Sequence, residues 1–343
     1  FLSMFGLGIE IGLLLVSVAA LVYFSEHAVE KIIALTNYFG LSASFVGLTI
    51  FSLATSLPEI FAHISASVGT VRGQLDYNIA SATVVGANIG SDIFQQTIIL
   101  GIAIILIGRV QFSKSFTTTA FIPMIIAAVI VYFMGLDGNI SRIDGALLLI
   151  IFTLYMFMLY QDKSAHIKKD TSGTSRPVED GLLGTVYICL MLAAAHFLLR
   201  STEHLVALTG LGGSLIGAFT LGVASASPEL FTAVGAARKK HADVSMGVLI
   251  GSNITNPVLA LGIGAVISSY FVPAPIIQWD LLFKIVSALG LFYFLHRSAP
   301  KRNRGRWYAP KGYLGQSAGM YLILTYMLYV VIRILVFSAD VAL

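Results

Sequence analysis

The chain has 343 residues, of which 57% are hydrophobic and only 11% charged, with a mean hydropathy of +0.87. Soluble domains carry roughly a quarter charged residues, so a soluble globular protein is excluded; at ~1.5 Å per residue across a ~30 Å hydrocarbon layer, the length holds on the order of ten spans and little else. The net charge of +4 is then read as a record of membrane orientation rather than a nucleic-acid surface, and a single cysteine, Cys189, excludes an intrachain disulfide or thiolate metal cluster.

In chain order, apolar segments at 7–24, 41–66, 79–107, 116–134, 144–160, 182–200, 211–236, 244–271, 276–296 and 316–338 predict ten transmembrane helices and an all-α polytopic fold. The first segment lacks the basic lead of a signal peptide and is read as a span. Glu10 near its start is expected to cap the helix or face an aqueous mouth, and His196 and His204 to flank the end of the sixth segment. The polar stretch 161–181, with Ser, Thr, Gly and Pro177, reads as a linker. It separates a first five-helix repeat, 1–160, from a second, 182–343. Because five is odd, the second half enters the bilayer inverted relative to the first.

Most of the 21 lysines and arginines lie after the odd-numbered segments: Lys31; Arg109 and Lys114; Lys163, Lys168, Lys169 and Arg176; Arg238, Lys239 and Lys240; and the run from Arg297 to Lys311. Arg72, Arg142, Arg200 and Lys284 are read near helix ends on the other side, and Arg333 late in the last helix. The positive-inside bias makes the odd loops cytoplasmic, the 161–181 linker among them, and puts both termini outside.

Two motifs recur in corresponding helices. Leu53-Ala54-Thr55-Ser56-Leu57-Pro58-Glu59 aligns with Val223-Ala224-Ser225-Ala226-Ser227-Pro228-Glu229, and Gly90-Ser91-Asp92-Ile93-Phe94-Gln95 with Gly251-Ser252-Asn253-Ile254-Thr255-Asn256. Of the 17 acidic residues, Glu59, Asp92 and Glu229 are read as the three deep in the spans. An ionised carboxylate at that depth costs several kcal/mol unless something compensates it. Pro58 and Pro228 cannot donate to the carbonyls one turn back, at Ala54 and Ala224, and so free two oxygens at the midplane. Thr55, Ser56, Ser225, Ser91, Gln95, Ser252 and Asn256 add hydroxyl and amide oxygens, each Ser and Gln or Asn pair sharing a helix face four residues apart. Such an all-oxygen set suits Ca²⁺, which takes six to eight oxygens, better than Mg²⁺ or a softer metal.

His63, one turn beyond Glu59, is read as a hydrogen-bonded spacer or a proton relay, and Asp92 as a second ion or proton ligand or a packing partner. The paired carboxylates would also serve hydrolysis, but no His-Glu-x-x-His or Gly-x-Ser-x-Gly arrangement accompanies them, so no enzyme and no cofactor is expected. Nor do the short loops carry the acidic run of a regulatory Ca²⁺ loop, and no protein partner is implied.

The two motifs resemble the α-repeats of the Ca²⁺:cation antiporter superfamily over about residues 50–105 and 220–268. The resemblance implies Glu59 and Glu229 as central ligands, Gln95 and Asn256 as the second ligand position, and Thr55, Ser56, Ser91, Ser225 and Ser252 as hydroxyl or carbonyl contributors. Ala54 and Ala224 stand where the family usually has Gly, and Asp92 where it usually has Asn. The amide in both copies of the second position is similar to the Ca²⁺/H⁺ exchanger branch, whereas the Pro-Glu form of the first motif looks like the Na⁺/Ca²⁺ branch. Two glutamates balance one Ca²⁺ or about two protons. The expected function is therefore Ca²⁺/H⁺ antiport by alternating access across the cell membrane, with Na⁺/Ca²⁺ exchange as the alternative.

Overall fold

The computed structural model describes residues 2–38, 52–112, 116–161, 176–238, 240, 242–298 and 312–340, and these are mostly helical. The chain opens with α1 (Leu2–Tyr38), followed by α2 (Ser52–Thr55) and α3 (Leu57–Val71). Next come α4 (Tyr77–Phe94) and α5 (Leu100–Ile107), joined by a π-helical turn at Gln95–Ile99. A second π turn, Thr117–Phe121, leads into α6 (Ile122–Met134), and α7 (Arg142–Gln161) closes the first half.

In the second half, α8 (Pro177–Thr209) precedes α9 (Gly213–Phe219), α10 (Leu221–Ser225) and α11 (Ser227–Arg238). Then α12 (Ala242–Thr255) and α13 (Leu261–Ser268) flank a π turn at Asn256–Ala260. A π turn at Ile276–Leu281 begins α14 (Leu282–Arg297), and α15 (Gln316–Val336) comes last.

Seven of these helical runs are long and apolar enough to cross a membrane, and Gly213–Ser225 with Ser227–Arg238, bent by 46°, makes an eighth. Leu13, Leu15 and Val16 on α1, Leu154 and Phe157 on α7, Val186 and Phe197 on α8 and Leu324 and Leu335 on α15 all face outward. In water such faces would aggregate; in lipid they are solvated. The chain is an integral multi-pass membrane protein.

Several expected boundaries move. α1 runs on to Tyr38 instead of ending near 24, since no proline interrupts it, so Lys31 lies on a helix and not in a loop. Its ammonium meets Asp180 on α8 at 2.9 Å. α8 begins at Pro177, inside the expected linker, where proline suits a first turn, and runs to Thr209 until Gly210 takes a left-handed conformation at φ 71°. His196 and His204 are therefore inside a helix; His204 Nδ1 meets Glu10 Oε1 at 2.7 Å, joining α8 to α1. The start of the expected second span at 41–51, residues 162–175 of the linker, and Lys114, Lys163, Lys168, Lys169, Lys239 and the run from Lys301 to Lys311 lie outside the described residues.

Four short strands tie the helix ends together. β1 (Arg109–Gln111) pairs antiparallel with β4 (Tyr313–Gly315), and β2 (Asn139–Ile140) with β3 (Tyr270–Phe271). The run from α4 through α5 lies antiparallel to that from α12 through α13: Lys240 Nζ reaches the Leu106 carbonyl at 2.6 Å at one end, and Tyr77 Oη approaches Ser269 Oγ at 3.4 Å at the other.

Where α4 crosses α9 and α10 the backbones nearly touch. A Cβ on Gly90 would lie 2.6 Å from Ala218 Cα, and one on Gly222 2.6 Å from the Ala87 carbonyl oxygen. Glycine is what lets the two helices come that close, the usual device for packing in lipid. It brings Gly222, on the helix just before the interruption, close to Ser91, whose backbone nitrogen would lie 3.0 Å from a Cβ there.

Candidate functional site

The two Pro-Glu motifs sit at interruptions of their helices. α2 ends at Thr55 and α3 begins at Leu57; α10 ends at Ser225 and α11 begins at Ser227. The turn is kept on course by Ile60 N donating to Ser56 O and Leu230 N to Ala226 O, both at 3.0 Å. Pro58 and Pro228 have no N–H to give Ala54 and Ala224, and both alanines are buried. Glu59 and Glu229 follow immediately, in the first turn of the helix that resumes.

Both glutamates are buried, and each accepts one serine hydroxyl from the next helix of its own half. Ser91 Oγ donates to Glu59 Oε1 at 2.7 Å, and Ser252 Oγ to Glu229 Oε1 at 3.1 Å. The other oxygen of each, Oε2, has no partner. Among the described residues neither glutamate has an ion pair.

Contacts between the halves cross over. Ser225 is a further polar neighbour of Glu59, and Thr55, its counterpart, of Glu229. Thr55 Oγ1 lies 3.3 Å from Ser252 Oγ, and Ser52 Oγ lies 2.8 Å from Thr255 Oγ1. Gln95 Nε2 donates to Ser91 Oγ at 3.0 Å while its Oε1 accepts from Asn253 Nδ2 at 3.3 Å. In the mirrored relation Asn256 Nδ2 donates to Asp92 Oδ1 at 2.9 Å, leaving Asn256 Oδ1 buried and unpartnered.

Both amides open π turns, Gln95–Ile99 and Asn256–Ala260. A π turn inserts one extra residue and re-aims the side chains around it, which is why such turns gather at functional sites. The expected ligands Thr55, Glu59, Ser91, Gln95, Ser225, Glu229, Ser252 and Asn256 thus line one buried polar seam where α2–α3, α4, α10–α11 and α12 meet, with Ala54 and Ala224 buried next to Thr55 and Ser225 in the chain. Ser56 lies at the break with a buried, unpartnered hydroxyl. Among the described residues no three His, Cys, Asp or Glu side chains converge, so an ion here would rest on two carboxylates completed by neutral oxygens. Such a shell suits a large hard cation.

His63 serves as a rivet. Its Nε2 accepts from Asn88 Nδ2 at 3.1 Å and its Nδ1 donates to Tyr270 Oη at 2.9 Å, a hydroxyl that also lies 2.8 Å from Ser67 Oγ. With both ring nitrogens engaged, it ties α3 to α4 and β3. Asn88 Nδ2 also donates to the Asn256 carbonyl at 2.9 Å, linking this cluster to the second π turn.

Arg333 lies in the last turn of α15, as expected, while a second buried cation departs from the sequence reading. Lys284, in the first turn of α14, lies well inside the continuous helical run Ile276–Arg297 and is fully buried, with its Nζ on Asp92 Oδ2. A fourth deep carboxylate, Asp280, pairs with Arg333 Nε at 3.1 Å and accepts Tyr329 Oη at 3.0 Å. An isolated lysine or aspartate inside an apolar run, as in 276–296, was the available signal, since such groups are costly in lipid without a partner. The periodicity alone could not say which partner each would find.

The fold has relatives of known structure. The sodium-calcium exchanger NCX_Mj, in crystals soaked with 2.5 mM Na⁺ and 10 mM Sr²⁺, superposes with a TM-score of 0.62 at 21% identity, over 95% of this chain and 99% of that one. Inner membrane protein YrbG of Escherichia coli (strain K12) is 26% identical over 85% of this chain and 90% of its own. The sodium/calcium exchanger MaX1 of Methanosarcina acetivorans is 23% identical over 79% and 85%. The profile of the sodium/calcium exchanger proteins matches residues 9–161 and again 181–335. Matched through both of its halves, the chain belongs to the sodium/calcium exchanger protein family.

Proposed function

We propose that this protein is a secondary antiporter that carries Ca²⁺ out of the cell in exchange for protons, both using the site around Glu59 and Glu229. The observation that carries the reading is the pair of buried carboxylates, each with one oxygen unpartnered and, among the described residues, no side-chain cation paired with it. Burying two such groups is tolerable only if a cation or protons neutralise them in every state. One Ca²⁺ completed by Thr55, Ser56, Ser91, Gln95, Ser225, Ser252, Asn256 and the Ala54 and Ala224 carbonyls does so; so do two protons. The site is never left with two bare charges, and this mutual exclusion is the coupling.

The architecture of the proposal is ten spans in two inverted repeats, 1–160 and 182–343, joined by a cytoplasmic linker at 161–181, with both termini outside the cell membrane. Exchanging the halves converts β1·β4 at one end of the helices into β3·β2 at the other, and the π turn at Gln95 into that at Asn256. The family match falls in the same two stretches. α1 and α8, the longest helices, pack chiefly on each other and are the candidates to slide across the core built from α2–α5 and α9–α13. Protons arriving from outside displace Ca²⁺ there, and deprotonated glutamates take it up again from the cytoplasm.

Na⁺ as the counter-ion has its own support in the similarity to MaX1, a sodium/calcium exchanger. Counterflow into sealed vesicles containing the purified protein separates the two. Ca²⁺ uptake driven by a pH gradient without Na⁺ is expected; uptake that follows a Na⁺ gradient with pH clamped on both sides assigns Na⁺ instead.

A further inference from the structure

The Asp92–Lys284 pair stands one hydrogen bond from the site. Both side chains are fully buried. Asp92 Oδ2 receives the lysine ammonium while Oδ1 receives Asn256 Nδ2 at 2.9 Å. Lys284 comes from α14, which contributes none of the proposed ligands. Its backbone carbonyl is held by Gln96 Nε2 at 3.0 Å, and Gln96 also donates to Ser287 Oγ at 2.7 Å.

The pair exists in one half only. Asp92 corresponds to Asn253 in the aligned motifs. Counted from the end of the π turn that begins each helix, Lys284 on α14 corresponds to Met124 on α6. There a neutral amide does the same bridging, Asn253 Nδ2 reaching Gln95 Oε1 at 3.3 Å. Crossing the two halves therefore needs no charge. A buried ion pair adds little net stability over neutral groups of the same shape, yet this one sits beside a site whose working currency is charge.

We propose that Lys284 is a resident counter-cation that sets the ion load of the exchanger. Its tethered ammonium neutralises Asp92 throughout the cycle, so the exchangeable negative charge stays at the two glutamates. The load is then one divalent cation or two monovalent ones. Without Lys284, Asp92 becomes a third carboxylate beside Asn256 and draws one more cation into each turnover. Lys284 acts through Asp92 and is a charge-setting residue, not a ligand. The proposal rests on reading Glu59 and Glu229 as the ion site.

The test is ⁴⁵Ca²⁺ equilibrium binding to the purified full chain at fixed pH and ionic strength, with the variants Lys284→Met, Asp92→Asn and the two combined. Adding or removing one nearby charge should move Ca²⁺ affinity by about tenfold or more. Lys284→Met should tighten binding, Asp92→Asn should weaken it, and the double variant should return to within about threefold of the wild type. In proteoliposomes held at set membrane potentials, wild type and double variant should exchange at voltage-independent rates, while Lys284→Met becomes voltage-dependent.

A purely structural bridge gives a different pattern: both single variants weaken binding and lower thermal stability, and voltage has no effect in any variant. That outcome overturns the proposal. Should Lys284→Met fail to fold, Asp92→Asn and the double variant decide it: weakened then restored binding supports the proposal, and binding unchanged in Asp92→Asn overturns it. Wild-type protein that binds no Ca²⁺ removes the ion site itself, whereas wild-type binding with unmoved variants removes only the role of Lys284.

Discussion

Glu59 and Glu229 occupy matching surroundings from opposite halves of the chain: each follows a proline at a helix break, accepts one serine hydroxyl, at 2.7 Å and 3.1 Å, and keeps one buried oxygen free. An orphaned buried acceptor costs ~1–3 kcal/mol, so a ligand that reached both oxygens would recover that cost. Two such oxygens at equivalent positions are where the proposed cation or protons would bind.

Replacing either glutamate with glutamine should leave the fold intact and abolish exchange. The carboxamide has the shape of the protonated acid, so the serine contact survives, but one negative charge is gone. Ca²⁺ flux in proteoliposomes should fall by about a hundredfold or more, with the thermal midpoint within a few degrees of the wild type. Flux retained in both variants removes these residues from the mechanism.

Ser91→Ala and Ser252→Ala should behave alike and mildly. Each deletes one hydrogen bond to a glutamate and one ligand oxygen, so apparent Ca²⁺ affinity should drop about three- to tenfold per variant, as for the loss of ~1 kcal/mol, with turnover largely kept. The titration is the same Ca²⁺ binding measurement used for Lys284. A large effect in one and none in the other would contradict the two-fold character of the site.

His63→Asn should preserve the pH profile of exchange. Both ring nitrogens are hydrogen-bonded, to Asn88 and Tyr270, and of the two expected roles the proposal takes the one of holding α3 in place. Loss of thermal stability with an unshifted profile is expected; a profile displaced by a unit or more would restore the relay.

Gly217→Ala should lower the thermal midpoint by several degrees, since its added methyl meets the Thr83 backbone and overpacking costs ~1–3 kcal/mol. Gly235→Ala, on the same chain of helices but with nothing within 4 Å, should be neutral or slightly stabilising. Equal effects would mean that the close contact of α4 with α9 contributes nothing.

The sequence makes the site legible because the requirement of lipid is so strict. Only residues with a reason to be polar survive deep in the spans, and a duplicated motif writes each reason twice: Glu59 with Glu229, Ser91 with Ser252, Gln95 with Asn256. What periodicity missed was three-dimensional pairing. Lys284 looked like an end-of-helix cation because an apolar run gives no depth marker, and its partner is 192 residues away. Asp280 and Arg333 found each other in the same way. Helix ends were misread where the stopping signal is one residue, as at Gly210, or where charge suggested a loop, as at Lys31. The π turns at Gln95 and Asn256 left no sequence trace, because they depend on how the two halves pack.

On the proposed function, protons and Ca²⁺ exclude one another at Glu59 and Glu229. Adding Ca²⁺ to the purified protein in weakly buffered solution and recording the proton release tests it most directly. Each Ca²⁺ bound should expel about two protons, and the Glu59→Gln, Glu229→Gln double variant none. Saturating Ca²⁺ binding to the wild type with no proton released would contradict it.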